Sequence, residues 1–145
     1  MKKKIILLVM FVIIVIVVWQ IQRKRGDESS KLLQNNVVFS GKISKIKISS
    51  NHNFGIVFLQ TSNAVNLPET PNQGNKRFPY LVINGLAEVY TRVPDGINVG
   101  DSIKVISNLE TVYYCDNIKK KTEEYIYMID DPIDIKFITE NTNFK

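Results

Sequence analysis

The sequence predicts an all-β fold, a small antiparallel barrel or sandwich of OB-like type, preceded by a single N-terminal transmembrane helix. Three observations predict it. Residues 5–19 (IILLVMFVIIVIVVW) are apolar without interruption and lie between two basic triplets. Beyond them, short apolar stretches alternate with polar residues at period two, and turn signals recur about every eight to fifteen residues. Asn84-Gly85 separates two such stretches, the strongest local hairpin signal in the chain.

The anchor comes first. From Ile5 to Ile21 only Gln20 is polar. Seventeen helical residues span roughly 25 Å, at the lower limit for a hydrocarbon core of about 30 Å. Lys2, Lys3 and Lys4 precede the stretch and Arg23, Lys24 and Arg25 follow it, placed to snorkel at either end; Trp19 sits where an interfacial aromatic belongs. A cleaved signal peptide shares the basic start and the apolar middle. It also needs small residues after the apolar run, and here Gln20, Ile21, Gln22 and Arg23 stand there, while the chain's only alanines are Ala64 and Ala87. Cys115 is the single cysteine, so no lipid-modified cysteine follows the run. An uncleaved signal-anchor is expected, with the lipid bilayer as partner through Ile5 to Ile21. Basic flanks balanced three against three leave the orientation to the short N-terminal tail, which stays in the cytoplasm and places the rest outside it.

The 145 residues then divide into an anchor at 1–25, a polar tether at 26–36, a β-domain at 37–140 and a frayed tail at 141–145. The net charge of +5 belongs to the anchor's flanks: from Asp27 onward thirteen Lys and Arg meet fourteen Asp and Glu, a net of −1. Such a domain lacks the basic footprint of a nucleic-acid-binding protein.

The first strand is read over residues 37–48 (VVFSGKISKIKI). Ile46 and Ile48 alternate with Lys45 and Lys47, but Ile43 is out of phase, so a bulge is expected near Ser44-Lys45 or a bend at Gly41. Residues 54–60 (FGIVFLQ) form the second strand, and the stretch 61–78, with Pro68, Pro71 and Gly74, is a long loop. In the Asn-Gly hairpin a two-residue turn pairs Ile83 with Leu86, Val82 with Ala87 and Tyr80 with Val89. The uncharged face with Tyr80, Val82, Ala87 and Val89 points inward, and Glu88 lies on the other. Further strands are expected at 103–105, 110–116 and 125–129, with a charged turn at 117–124 and a last edge strand at 133–139.

The order Phe39-Ser40-Gly41-Lys42-Ile43, then Val82-Ile83-Asn84-Gly85, then Val99-Gly100-Asp101-Ser102-Ile103 resembles a group of short bacterial membrane-anchored, lipoprotein-like small β-barrel proteins of uncharacterised function. The resemblance covers residues 37–107. It implies the small barrel and the anchor and brings no active site. The longer loop at 61–78 and the strands after Ser107 depart from the pattern.

The sequence carries no recognisable catalytic constellation. The Gly-Asp-x-Ile-x-Val strand entry behind an anchor is similar to bacterial signal peptidases, but those need a Ser-Met pair, and no Met here follows a Ser. There is no Gly-x-Ser-x-Gly elbow and no Gly-rich phosphate loop. One His and one Cys cannot build the usual zinc site. Asp130, Asp131 and Asp134 read as a solvated face, His52 as a loop residue and Cys115 as a small hydrophobe of the core. No catalytic residue, metal or cofactor is therefore expected. Two readings remain: a non-catalytic binding or accessory module facing an envelope protein partner, and an OB-like barrel binding an oligomeric ligand, oligosaccharide or oligonucleotide, through Tyr113, Tyr114, Tyr125 and Tyr127. Nucleic acid is the less favoured ligand on charge, and core packing is the ordinary fate of such rings.

Overall fold

The computed structural model describes residues 2–65, 72–73, 76–118 and 120–144; the side chains of 2–9, 25, 63–65 and 72–73 lie outside that description. The chain forms two compact units, 1–32 and 33–145.

The first unit is the helix α1, Lys2–Leu33. Every described side chain from Met10 to Lys24 is exposed, and Arg23 sits over the Trp19 ring 5.6 Å from its centroid. The polar stretch expected as a tether continues the helix to Leu33. Extending an existing helix carries no nucleation cost, and the single Gly26 costs only about 1 kcal/mol. Among the described residues no helix is long and apolar enough to cross a membrane. The apolar side chains expected at 5–9 lie outside the described ones.

The second unit is mostly β. Its strands are β1 (Val38–Ile48), β2 (Phe54–Val65), β3 (Asn72–Gln73), β4 (Lys76–Arg77), β5 (Tyr80–Ile83), β6 (Leu86–Arg92), β7 (Ser102–Ile106), β8 (Thr111–Cys115) and β9 (Lys121–Tyr125). Seven of them form one antiparallel sheet in the order β5-β6-β2-β1-β7-β8-β9, which curls into a half-barrel. The long β1 joins its two wings. Its register with β2 shifts between Ser40 and Gly41 and again between Ile43 and Lys45, so the extra residue that the Ile43 phase requires is present. At Gly41 the strands approach so closely that a Cβ would meet the Gln60 carbonyl oxygen. The Asn-Gly hairpin has the expected register, with Asn84 at φ 52° and Gly85 at φ 78°.

Inside the curl lie Phe39, Ile43, Val57, Leu59, Val89 and Val105, all buried. Phe39 meets Tyr80 edge-on across the interior, with centroids 5.6 Å apart. On the open side, Thr91 Oγ1 donates to the Tyr125 carbonyl (3.3 Å), and Arg77 and Ile129 exchange two backbone hydrogen bonds of 2.9 and 2.8 Å.

The expected edge strand at 133–139 is instead the helix α2, Pro132–Asn141. Asp131 caps it, Oδ1 accepting from the Ile133 N–H at 2.7 Å, and Pro132 takes the first helical position. Asn51 Nδ2 donates to Asp134 Oδ1 (2.9 Å) near one end, and Lys47 Nζ donates to the Asn141 carbonyl (2.7 Å) at the other. The helix covers the outer face of β2 and β6. There Phe54, Ile56, Phe58, Tyr90 and Ile129 form a second core with Ile138. Both faces of β2 are thus buried from Phe54 to Leu59.

This cover reverses the expectation for Glu88, which is 1% exposed rather than on an open face. Its Oε2 accepts from Tyr90 OH (2.8 Å) and Thr142 Oγ1 (2.6 Å), and its Oε1 from the Asn143 N–H (2.7 Å). The tail expected to fray is held by these bonds. A second correction concerns β9. The turn tightens at Asp116, whose Oδ1 accepts from the N–H of Ile118 (3.0 Å) and Lys120 (2.9 Å), so the strand starts at Lys121 and the buried Ile126, Met128 and Ile129 follow it. Of the loop read at 61–78, residues 61–65 prolong β2, while 66–71 and 74–75 lie outside the described residues.

Glu88→Ala removes the acceptor of three hydrogen bonds and leaves the buried Tyr90 hydroxyl unpaired, a loss of about 2–4 kcal/mol. A lower urea midpoint and faster carboxypeptidase trimming of residues 142–144 would register it. The buried tyrosines generate a second expectation. Burial first, then the Glu88 charge, pushes Tyr90 far above its ordinary value near 10; burial, then Glu124, does the same to Tyr114. The folded state thus keeps these protons after the unfolded chain has lost its own. Their contribution is complete below pH 10 and is lost as pH rises beyond it, by about 1.4 kcal/mol per pH unit for each ring. Urea midpoints measured from pH 8 to 11.5 should fall once pH passes 10, and Tyr114→Phe should make that fall shallower.

Candidate functional site

The curl gives the sheet one covered outer wing and one bare one. α2 sits over β2 and β6, whereas on β1 and β7 the outward Lys42, Ser102 and Lys104 are exposed. Cross-strand partners point to the same side of a sheet, so pairing arranges the bare wing in rows. The first row runs Gln60, Lys42, Ser102, Cys115, Lys121. The second runs Ser40, Lys104, Tyr113, Glu123, and the third Val38, Ile106, Thr111, Tyr125. The alternate residues Ile103, Val105, Val112 and Tyr114 point inward and are buried. Phe-Ser-Gly-Lys-Ile and Ser-Ile-Lys-Val therefore each put an apolar residue in the core and a lysine outside.

Two concavities open on this wing. One, of about 420 Å³, is lined by Ser40, Lys104, Ile106, Tyr113, Cys115 and Lys121 among others. The other, of about 440 Å³, lies over the β1 bulge, with Gly41, Lys42, Gln60, Thr61 and Ser62. They share Ser40, Ser102 and Ile103 and so form one shallow groove across the strands. Lys42, Lys104 and Lys121 are all exposed. Among the described residues the one ion pair is Lys136–Glu140 at 3.9 Å, so none of the three has a carboxylate partner. The turn that delivers Ser102 is braced by the buried Asp101. Its Oδ2 accepts from the Asn98 N–H (2.7 Å), and its Oδ1 has no hydrogen-bond partner among the described residues. A separate, smaller cavity of about 110 Å³ lies beside Tyr90 and Phe144.

The four tyrosines singled out in the sequence do not form one platform. Tyr113 is half-buried on the groove. Tyr114, its neighbour in the strand, points the other way, is fully buried and donates to the Arg92 carbonyl at 3.3 Å. Tyr125 is 71% exposed on the edge strand, diagonal to Tyr113. Tyr127 lies beyond β9, where burial, then the charge of Asp134, raises its pKa. Cys115, expected in the core, is half-buried on the groove. His52, exposed at φ 48°, is a turn residue. Asp131 caps α2 and Asp134 is buried against Asn51, with burial raising its pKa, so the acidic trio is not the uniformly solvated face expected. The groove lysines escaped the sequence reading because they converge only once β1 pairs with β7, some sixty residues away.

Comparison with family models, with curated proteins and with solved structures returns no match to this chain.

Proposed function

We propose that this protein is a non-catalytic binding module held at a membrane by its N-terminal helix, with an OB-like β-domain on the extracytoplasmic side. One observation carries the reading. Residues 10–19 of α1 are apolar and exposed on every side of the helix. An amphipathic helix hides one stripe against protein; a helix apolar all round needs an apolar solvent. By sequence the run extends back to Ile5, and Lys or Arg stands at each end. At roughly −0.3 to −0.6 kcal/mol for each Ile, Leu, Val or Phe at its centre, lipid supplies several kcal/mol toward insertion. The β-unit has its own two cores, and its groove offers charge and hydroxyls along the strands, a surface suited to binding.

Carbonate washing of membranes from cells making the full chain tests the anchor. The wild type should remain in the pellet, and Ile13→Arg with Ile16→Arg, two charges at about 2.5–3.5 kcal/mol each, should release it to the supernatant. Recovery of the wild type, residues 1–25 intact, from the supernatant overturns the reading.

A further inference from the structure

We infer that the bare wing of the sheet binds a linear phosphate-bearing polymer laid across strands β1, β7, β8 and β9. The inference rests on the proposed binding role and adds the ligand's chemistry. Lys42 and Lys121 share the first row three strands apart, about 14 Å at the usual strand spacing. Lys104 stands in the next row between them. That spread is too wide for one phosphate and suits successive charges on a chain. The three lysines lack carboxylate partners among the described residues, in a domain whose overall charge is −1. Glu123, at the end of the second row, is the one acid on the three rows.

The type of cation selects the type of anion. No arginine stands on these rows, so the planar fork that grips carboxylates in pairs is missing. Lysine acts as a point charge on a flexible stem, which suits phosphate oxygens presented in several directions. The Ser102 hydroxyl, the Gln60 amide and the Tyr113 phenol add hydrogen-bonding groups along the same path. Single-stranded nucleic acid also carries phosphates, but it draws affinity from a succession of stacked rings. Here two rings line the groove, Tyr113 and Tyr114, but Tyr114 is fully buried and offers no face for stacking, and Tyr125 stands at the rim.

The test uses the full chain in a nonionic detergent and labelled long-chain inorganic polyphosphate. Binding should weaken with salt, log K against log concentration falling with a slope of about 2–3, as three released counterions require. Replacing Lys42, Lys104 and Lys121 together by Gln should weaken binding at least about tenfold, since exposed charge contacts each contribute a few-fold. Lys45→Gln with Lys136→Gln, outside the groove, should change it less than twofold. Equal urea midpoints for the wild type and the triple variant confirm intact folding, as expected for exposed lysines. No binding of polyphosphate, or a triple variant that binds like the wild type, overturns the proposal. So does an equal loss in the Lys45/Lys136 control, which would indicate charge without a site. Binding of glycerophosphoglycerol, the soluble headgroup of phosphatidylglycerol, that the triple variant loses, without binding to polyphosphate, moves the site to lipid headgroups and overturns the polymer. An oligothymidylate that binds more tightly than polyphosphate of equal charge, and is lost on Tyr113→Ala, overturns it in favour of nucleic acid. The carbonate extraction reports on the anchor alone, so either idea can fail without the other.

Discussion

The β-unit depends on a strand that has no wet face. Phe54, Ile56 and Phe58 point one way from β2 and Val57 and Leu59 the other, and all are buried. A sheet that folds into a half-barrel supplies cover for only one of those faces. The other requires a second layer, and the chain supplies it from its far end with α2. Fully burying an Ile or Phe is worth about 1.5–3 kcal/mol, so the three outward residues of β2, with Tyr90 beside them, offset a large part of the ordering of a ten-residue helix. The remaining polar contacts make the cover specific. Lys47 satisfies the last carbonyl of α2, Asn51 holds Asp134, and the rings of Phe54 and Phe137 meet edge-on at 6.5 Å.

Glu88 follows from the same constraint. It stands on the covered face of β6, two residues before Tyr90, where the helix's exit seals it from water. An unpartnered carboxylate there would be prohibitive. Three donors reach it, two of them from residues just past α2. The sheet thus fixes the course of the chain after the helix, and the helix fixes the environment of a charge on the sheet. Lys45 and Lys47, 5.5 and 5.7 Å from the Phe58 ring centroid, close the side of this layer with their stems and heads.

How much of this is legible in the sequence depends on the range of the interaction. The Asn-Gly hairpin register and the β1 bulge are set by backbone rules acting within a few residues, and both could be read directly. The second layer left a signal that needed a different question. FGIVFL does not alternate, and a continuous apolar run is the mark of a strand covered on both faces. That run calls for a covering element somewhere in the chain. Asp131-Pro132, a cap followed by a first-turn proline, marks where it begins. The period-two spacing of Ile133, Ile135 and Phe137 disguised it as a strand; in the helix Ile133 is 63% exposed while Ile138 carries the burial. Tyr113 and Tyr114 illustrate the opposite limit. Adjacent rings in a strand cannot serve one surface, but which of them faces inward is decided by β7 and β9.

α2 covers β2 and β6, and on the other wing the outward Lys42, Ser102 and Lys104 stand exposed. A strand that alternates strictly, Ser-Ile-Lys-Val in β7, needs only one cover, and the barrel interior provides it. Its outward Ser102 and Lys104 are therefore free of the packing demand that governs β2, whereas in β8 the outward Tyr113 and Cys115 are half-buried. A merely solvated face is satisfied by any mixture of polar residues, with charges of both signs interspersed. This one concentrates its cations: Lys42, Lys104 and Lys121 stand around hydroxyls and a half-buried ring, over a groove deepened by the Gly41 bulge, with the one acid of these rows at the sheet's edge. The asymmetry between the wings, one closed by apolar packing and one left open with its charge uncompensated, separates the part of the sheet that holds the fold together from the part available to a ligand.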